Sequence, residues 1–192
     1  MTIRTLPLYV LMTLALLLSG CAKSPQQVML DPSINASAQL KKRPVVQLSI
    51  VDNRPSPILG TRGGVYATNH ITLAEPLERS LRPEMERALQ AIGAELNQVS
   101  PFPIRLTLYL DRLSYEVEDT GTLPLMVNLH STLRAQAKSG QLKYEGRWES
   151  SRQHQFLSVP TEAKNQDIIN DLLSETLNRM INDPKLLQFL QQ

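Results

Sequence analysis

Between residues 123 and 138 the sequence alternates with a period of two. Leu123, Leu125, Val127, Leu129, Leu133, Ala135 and Ala137 hold odd positions, while Asn128, His130, Thr132, Arg134, Gln136 and Lys138 hold even ones. Successive side chains of a strand point to opposite faces, so the pattern predicts a strand buried on one face and wet on the other. Ser139-Gly140 then makes a tight turn. The return run puts Leu142, Tyr144, Gly146, Trp148 and Phe156 on one face. Gln141, Lys143, Glu145, Arg147, Glu149, Ser151 and Gln153 lie on the other. Such strands form an antiparallel sheet covered on one side only.

The remaining elements are arranged around this hairpin. Val45 to Val51 is rich in β-branched residues and reads as a first strand, stopped by Asp52-Asn53-Arg54-Pro55-Ser56-Pro57. Residues 75–92 carry Leu77, Leu81, Met85, Ala88, Leu89 and Ile92 at helical spacing, and Gly93 suits a left-handed cap. Pro83 falls inside that stripe and predicts a kink or a split. Ile104 to Leu110 alternates on even numbers, but Leu113, Tyr115 and Val117 continue on odd ones. One extra residue swaps the faces of a strand, so a β-bulge is expected near Asp111-Arg112. Asp119-Thr120-Gly121 turns the chain into the hairpin. Ile168, Ile169, Leu172, Leu173, Leu177, Met180 and Ile181 mark a second long helix, with a short one after Asp183-Pro184. These elements predict an α+β two-layer sandwich over residues 45–192. Its mainly antiparallel sheet, in the order strand-helix-strand-strand-strand-helix, has two helices packed on one face.

The beginning of the chain speaks of export. Arg4 precedes the apolar run Leu6 to Leu18. A run of about 13 residues suits a signal-peptide core and falls short of the roughly 20 a membrane span needs. It ends in Leu18-Ser19-Gly20-Cys21, which resembles the lipobox of bacterial lipoproteins. The resemblance implies cleavage after residue 20 and lipid on Cys21, the one cysteine of the chain. Ala22 follows it where an aspartate would signal inner-membrane retention, so the outer membrane, facing the periplasm, is the expected address. Residues 21–44 hold Pro25, Pro32 and Pro44 with Ser, Asn and Gln, and read as a tether. If flexible, it would reach roughly 25 Å.

Charge excludes one class of partner. Arg4 is the only charge in the first 21 residues, so the mature chain carries 19 basic and 18 acidic side chains. A near-neutral domain offers no electrostatic footprint for nucleic acid. Lys41-Lys42-Arg43 reads as a short solvated flank, with contact to anionic lipid heads as the alternative.

The lipobox, the strand running into Asp52-x-Arg54, the helix ending near Gly93, the long hairpin and the closing helix resemble the YajG-like lipoproteins of Gram-negative bacteria. The resemblance implies location and fold and carries no catalytic residue across; the proline at 83 departs from it.

A search for chemistry finds little. His70, His130 and His154 have no metal-ligand spacing, and no nucleophile elbow or phosphate loop is present. No cofactor or metal is therefore expected. Gly60-Thr61-Arg62-Gly63-Gly64 reads as a flexible loop or an anion nest. Asp111 with Glu116 or Glu118 is the sole candidate carboxylate pair. Asp52 either caps its loop with Arg54 pinned to it, or leaves Arg54 for an anionic ligand. The stretch from Asp52 to Asn69 is long for a connection and carries Arg54, Arg62 and Tyr66, the candidate partner contacts. The plainer reading is a mobile loop or a minor hairpin that completes the sheet, with a short hairpin or edge strand within Val65 to Leu73. The expectation is a non-enzymatic module binding a cell-envelope protein or cell-wall component. The alternatives are an envelope glycan- or peptide-modifying enzyme using carboxylates, and a structural subunit assembling through sheet edges.

Overall fold

The computed structural model describes residues 25–96, 98–118 and 123–192. The signal stretch, Cys21 and the turn Asp119-Thr120-Gly121 lie outside the described residues. Within them the order is β1 (Gln26–Val28), β2 (Val45–Asp52), β3 (Ile58–Thr61), β4 (His70–Leu73), α1 (Leu77–Ala91), β5 (Glu95–Leu96), β6 (Ile104–Glu118), β7 (Leu125–Ser139), β8 (Leu142–Phe156), α2 (Glu162–Ile181) and α3 (Pro184–Leu190). The fold is α+β. The short helix expected after Asp183-Pro184 is α3, and four short strands join the long elements expected from the sequence.

Strands β6, β7 and β8 run antiparallel. The other edge of β6 is shared. Strand β2 pairs in parallel with Ile104–Leu110, and β3 meets it further on, at Tyr115. Strand β5 adds to β2, while β4 and then β1 add to β3. The register of β6 against β7 slips between Leu110 and Arg112, so the bulge lies where the phase change places it. Ile104, Leu106, Leu108 and Leu110 before it, and Leu113 and Tyr115 after it, are all buried.

Both long helices press on that buried face. Leu77, Leu81, Met85, Ala88 and Leu89 of α1 join Ile168, Ile169, Leu172, Leu173, Leu177 and Met180 of α2 in one core. Gly93, at φ 98°, ends α1. Its amide reaches the Gln90 carbonyl, and the Ala94 amide reaches that of Leu89, a Schellman pattern. Pro83 does not split α1, which is continuous from Leu77 to Ala91. It sits on the exposed side of the helix, so the Arg79 carbonyl it leaves without a donor faces water. Trp148, 6% exposed, lies on the inner face of β8 and donates from Nε1 to Asp183 Oδ2 at 3.2 Å. Gly146 makes room for it, since a Cβ there would stand 2.4 Å from both the Trp148 ring and the Tyr144 hydroxyl.

The domain does not begin at residue 45. Residues 26–40 are packed against it, and the flexible tether expected over 21–44 is absent from this part. Even-numbered Val28, Leu30 and Leu40 are buried in the core, with Ile34 and Ala36 packed against it. The odd-numbered amides form a ladder along α2. Met29 donates to Gln166 Oε1 (3.1 Å), Asp31 to Asn170 Oδ1 (2.8 Å), Ser33 to Ser174 Oγ (2.9 Å), Asn35 to Asn178 Oδ1 (2.6 Å) and Ser37 to Asn182 Oδ1 (2.9 Å). The side-chain amides of Asn170, Asn178 and Asn182 donate back to the carbonyls of Met29, Ser33 and Asn35. The match is geometric. Two extended residues advance about 6.6 Å and four helical ones about 6.0 Å, so every second strap amide meets every fourth helix residue. Polar side chains on α2 thus replace the neighbouring strand the strap lacks.

Candidate functional site

The corner after β2 is closed by an ion pair. Arg54 donates from Nε to Asp52 Oδ1 at 2.8 Å and from Nη2 to Oδ2 at 2.7 Å. That hydrogen bonding holds the Asp52 carboxyl below its usual range. The Arg54 side chain is 4% exposed, and its Nη1 is buried without a partner. A shallow cleft of about 280 Å³ between Asp52, Arg54, Thr72, Glu75 and Leu77 lies beside it. Solvent does not touch Nη1, so Arg54 pins the corner and offers no open guanidinium to a ligand.

The 52–69 stretch leads into the minor hairpin of the plainer reading: β3 pairs antiparallel with β4 within the sheet, with a 3-10 turn at Gly64–Tyr66 between them. Arg62 is buried, its guanidinium 4.6 Å from the centre of the Tyr66 ring. It belongs to a polar cluster beneath the strap. Asn165 is 2.9 Å from the Tyr115 hydroxyl and 2.7 Å from the Gln26 amide. The Gln26 amide is best satisfied with its oxygen toward Glu162 N and Arg62 Nε, each 3.1 Å away. Burial pushes the Tyr115 hydroxyl above its usual range. Arg54 and Arg62 are therefore built into the structure, and Tyr66 stacks on one of them; the three do not converge on an open site.

The histidines also stay apart. His70 is on β4, His130 faces out from β7, and His154 faces in from β8, where burial chiefly lowers its pKa. Among the described residues no group of three His, Cys, Asp or Glu side chains is placed to hold a metal ion. The candidate carboxylates are each engaged. Glu116 binds Arg112, and Glu118 accepts from Asn128. Asp111 accepts from Arg134 and from Asn53. Burial works to raise the Asp111 pKa, but these two partners outweigh it and leave the carboxyl below its usual range. The Arg112 hydrogen bond does the same for Glu116. A general acid needs a raised pKa, so neither group is tuned for that role.

What the long strands leave uncovered is their outer face. Among the described residues no helix lies on it, and it carries the polar half of each alternation. Tyr109, Arg134 and Arg147 form one row across it, and Gln136 and Glu145 sit opposite each other in the next. At its centre the Arg134 guanidinium lies 4.1 Å over the Tyr109 ring while clamping Asp111 at 3.0 and 3.1 Å. Arginine and tyrosine, each held in place before any partner arrives, are the residue types that anchor interfaces. This face was legible in the even-numbered run from Asn128 to Lys138, which had marked a wet surface and nothing more.

The class this defines is an α+β sandwich with a strapped N-terminus and one open, polar sheet face. A family model described as uncharacterised lipoprotein matches residues 32–191, and the chain belongs to that family. This agrees with the resemblance to YajG-like lipoproteins. No curated protein matches the chain. Among solved structures, a Xanthomonas campestris protein is 11% identical, with a TM-score of 0.51 over 86% of this chain and 97% of its own. A minor lipoprotein from Acinetobacter baumannii is 13% identical, with a TM-score of 0.41 over 80% of this chain and 92% of its own. At such identities the first likeness speaks for the fold alone. Among the described residues no helix is long and apolar enough to cross a membrane.

Proposed function

We propose that the chain is an outer-membrane lipoprotein, held by lipid on Cys21 with its domain on the periplasmic side, and that it binds an envelope protein or cell-wall component through the open sheet face. The observation that carries the binding role is that face: three strands of 15 residues each, polar, uncovered and ordered around the Arg134–Tyr109–Asp111 cluster. The strap shapes the role. Five residue steps link Cys21 to Gln26, so the domain lies within about 18 Å of its lipid. A partner must then reach a sheet face whose near end stays close to the membrane.

Two experiments test this reading. Cys21→Ser is expected to accumulate as an unprocessed precursor that takes up no labelled palmitate. A variant that matures and stays with membranes would refute the anchor. For the binding face, a photo-crosslinking residue at Gln136 or Ser151 in intact cells is expected to capture a discrete envelope component. The same residue at Arg87, exposed on the helical side, is expected to capture none. Equal capture from both sides would remove the sheet face as the site.

A further inference from the structure

We infer that the end of the domain where the chain enters, at Gln26, rests on the lipid bilayer through an exposed apolar tip formed by Val65, Leu123 and Leu157. These side chains are 86%, 62% and 79% exposed. Separate segments bring them to the same end of the sheet. Leu125 pairs with Phe156, so Leu123 and Leu157 lie just beyond the last rung of the β7–β8 ladder. The turn that carries Val65 packs beside them: a Cβ on Gly63 would stand 2.5 Å from Val117 near the end of β6, and one on Gly64 would stand 3.5 Å from Val159. Gln26 enters at this end too, with its amide against Asn165 and within reach of Arg62 and Glu162.

The occupant follows from chain length. The inference rests on lipidation of Cys21, which leaves at most about 18 Å of chain between the lipid-bearing residue and Gln26. A tip beside Gln26 is thereby held at the bilayer surface, where exposed leucine and valine are stabilised by burial in the headgroup region. Apolar side chains also project at the opposite end, among them Phe102 and Leu142. Strands of 15 residues separate the two ends by roughly 50 Å. Those far residues are out of reach of the bilayer when the tip is down. Glu118 at the end of β6 and Glu162 and Lys164 at the start of α2 mix both signs of charge at this end, so its contact is apolar rather than a basic patch on anionic lipid.

The test uses the lipidated mature protein, beginning at Cys21, in vesicles of phosphatidylethanolamine and phosphatidylglycerol. Cys21 is the only cysteine and its sulfur is occupied, so an environment-sensitive fluorophore can be placed singly at Val65→Cys, Leu157→Cys or Phe102→Cys. Unchanged melting of each variant checks the fold. The expected result is a blue shift and quenching by spin-labelled lipid at positions 65 and 157, with neither at 102. Vesicles that carry the protein while positions 65 and 157 stay as wet as 102 would overturn the tip and leave the anchor standing. Protein that fails to float with vesicles at all would overturn the anchor, and the tip with it.

Discussion

Replacing Asn170, Asn178 and Asn182 together by alanine is expected to lower stability by about 3 kcal/mol, as read by urea unfolding. Six hydrogen bonds to the strap backbone disappear, at about 0.5 kcal/mol each, the low end of the usual range because water reaches the groups left behind. The sign is informative. Alanine is the better helix former at 170 and 178, so α2 gains there, and apart from the Asn182 bond to the Asn178 carbonyl at the helix end the loss must come from the strap. Protease cutting between residues 29 and 40 is expected to appear at the same time. A triple variant within 1 kcal/mol of the parent would mean that the ladder adds nothing and that Val28, Leu30 and Leu40 hold the strap unaided.

Trp148→Ala is expected to cost about 3–5 kcal/mol, the range for truncating a large buried aromatic. The indole is buried among residues of both layers, and its N–H bonds Asp183, which also caps α3 by accepting from Lys185 N and Leu186 N. Tyr144 shares this corner. Its ring lies 5.8 Å from that of Phe189, and burial with the nearby Asp183 charge pushes its hydroxyl up to about 12. Losing Trp148 thus opens a cavity and loosens the start of the last helix. Circular dichroism must follow the unfolding, because the variant has no tryptophan. A loss below 1 kcal/mol would show that the β8 face carrying Trp148 is not the packed one.

Much of the fold was legible because its long elements state one period each. The β7–β8 hairpin, the bulge at Asp111 and the stripes of α1 and α2 all follow from parity and spacing. The strap was missed although its signal is present. Val28, Leu30, Ile34, Ala36 and Leu40 alternate, but Pro32 and the small residues between them mimic linker composition. Its partner row, Gln166, Asn170, Ser174, Asn178 and Asn182, recurs every fourth residue along α2 and passes for an ordinary wet face. Neither pattern means much until the two are set side by side. The short strands were hard for another reason. Two to four residues carry too little period, and their pairing depends on long-range contacts. Arg54 pinned to Asp52 is one of the two readings the sequence offers, and the structure selects it. Arg62 misled, because Arg beside Gly suits an exposed binding loop as well as a buried polar cluster, and only burial separates these. The open face was visible as polarity. Its Arg134–Tyr109–Asp111 cluster needed the register of β6 on β7, which no local pattern supplies.

Under the proposed lipidation of Cys21, the docked strap sets how far the domain can stand from the membrane, and residue-resolved amide hydrogen exchange over 29–37 tests the strap most directly. A laid-down strap predicts alternation: the amides of Met29, Asp31, Ser33, Asn35 and Ser37 exchange slowly, while those of Leu30, Ile34 and Ala36, which make no ladder bond to α2, exchange faster. Uniform exchange at unfolded-chain rates from 29 to 37 would contradict the account and restore a flexible tether.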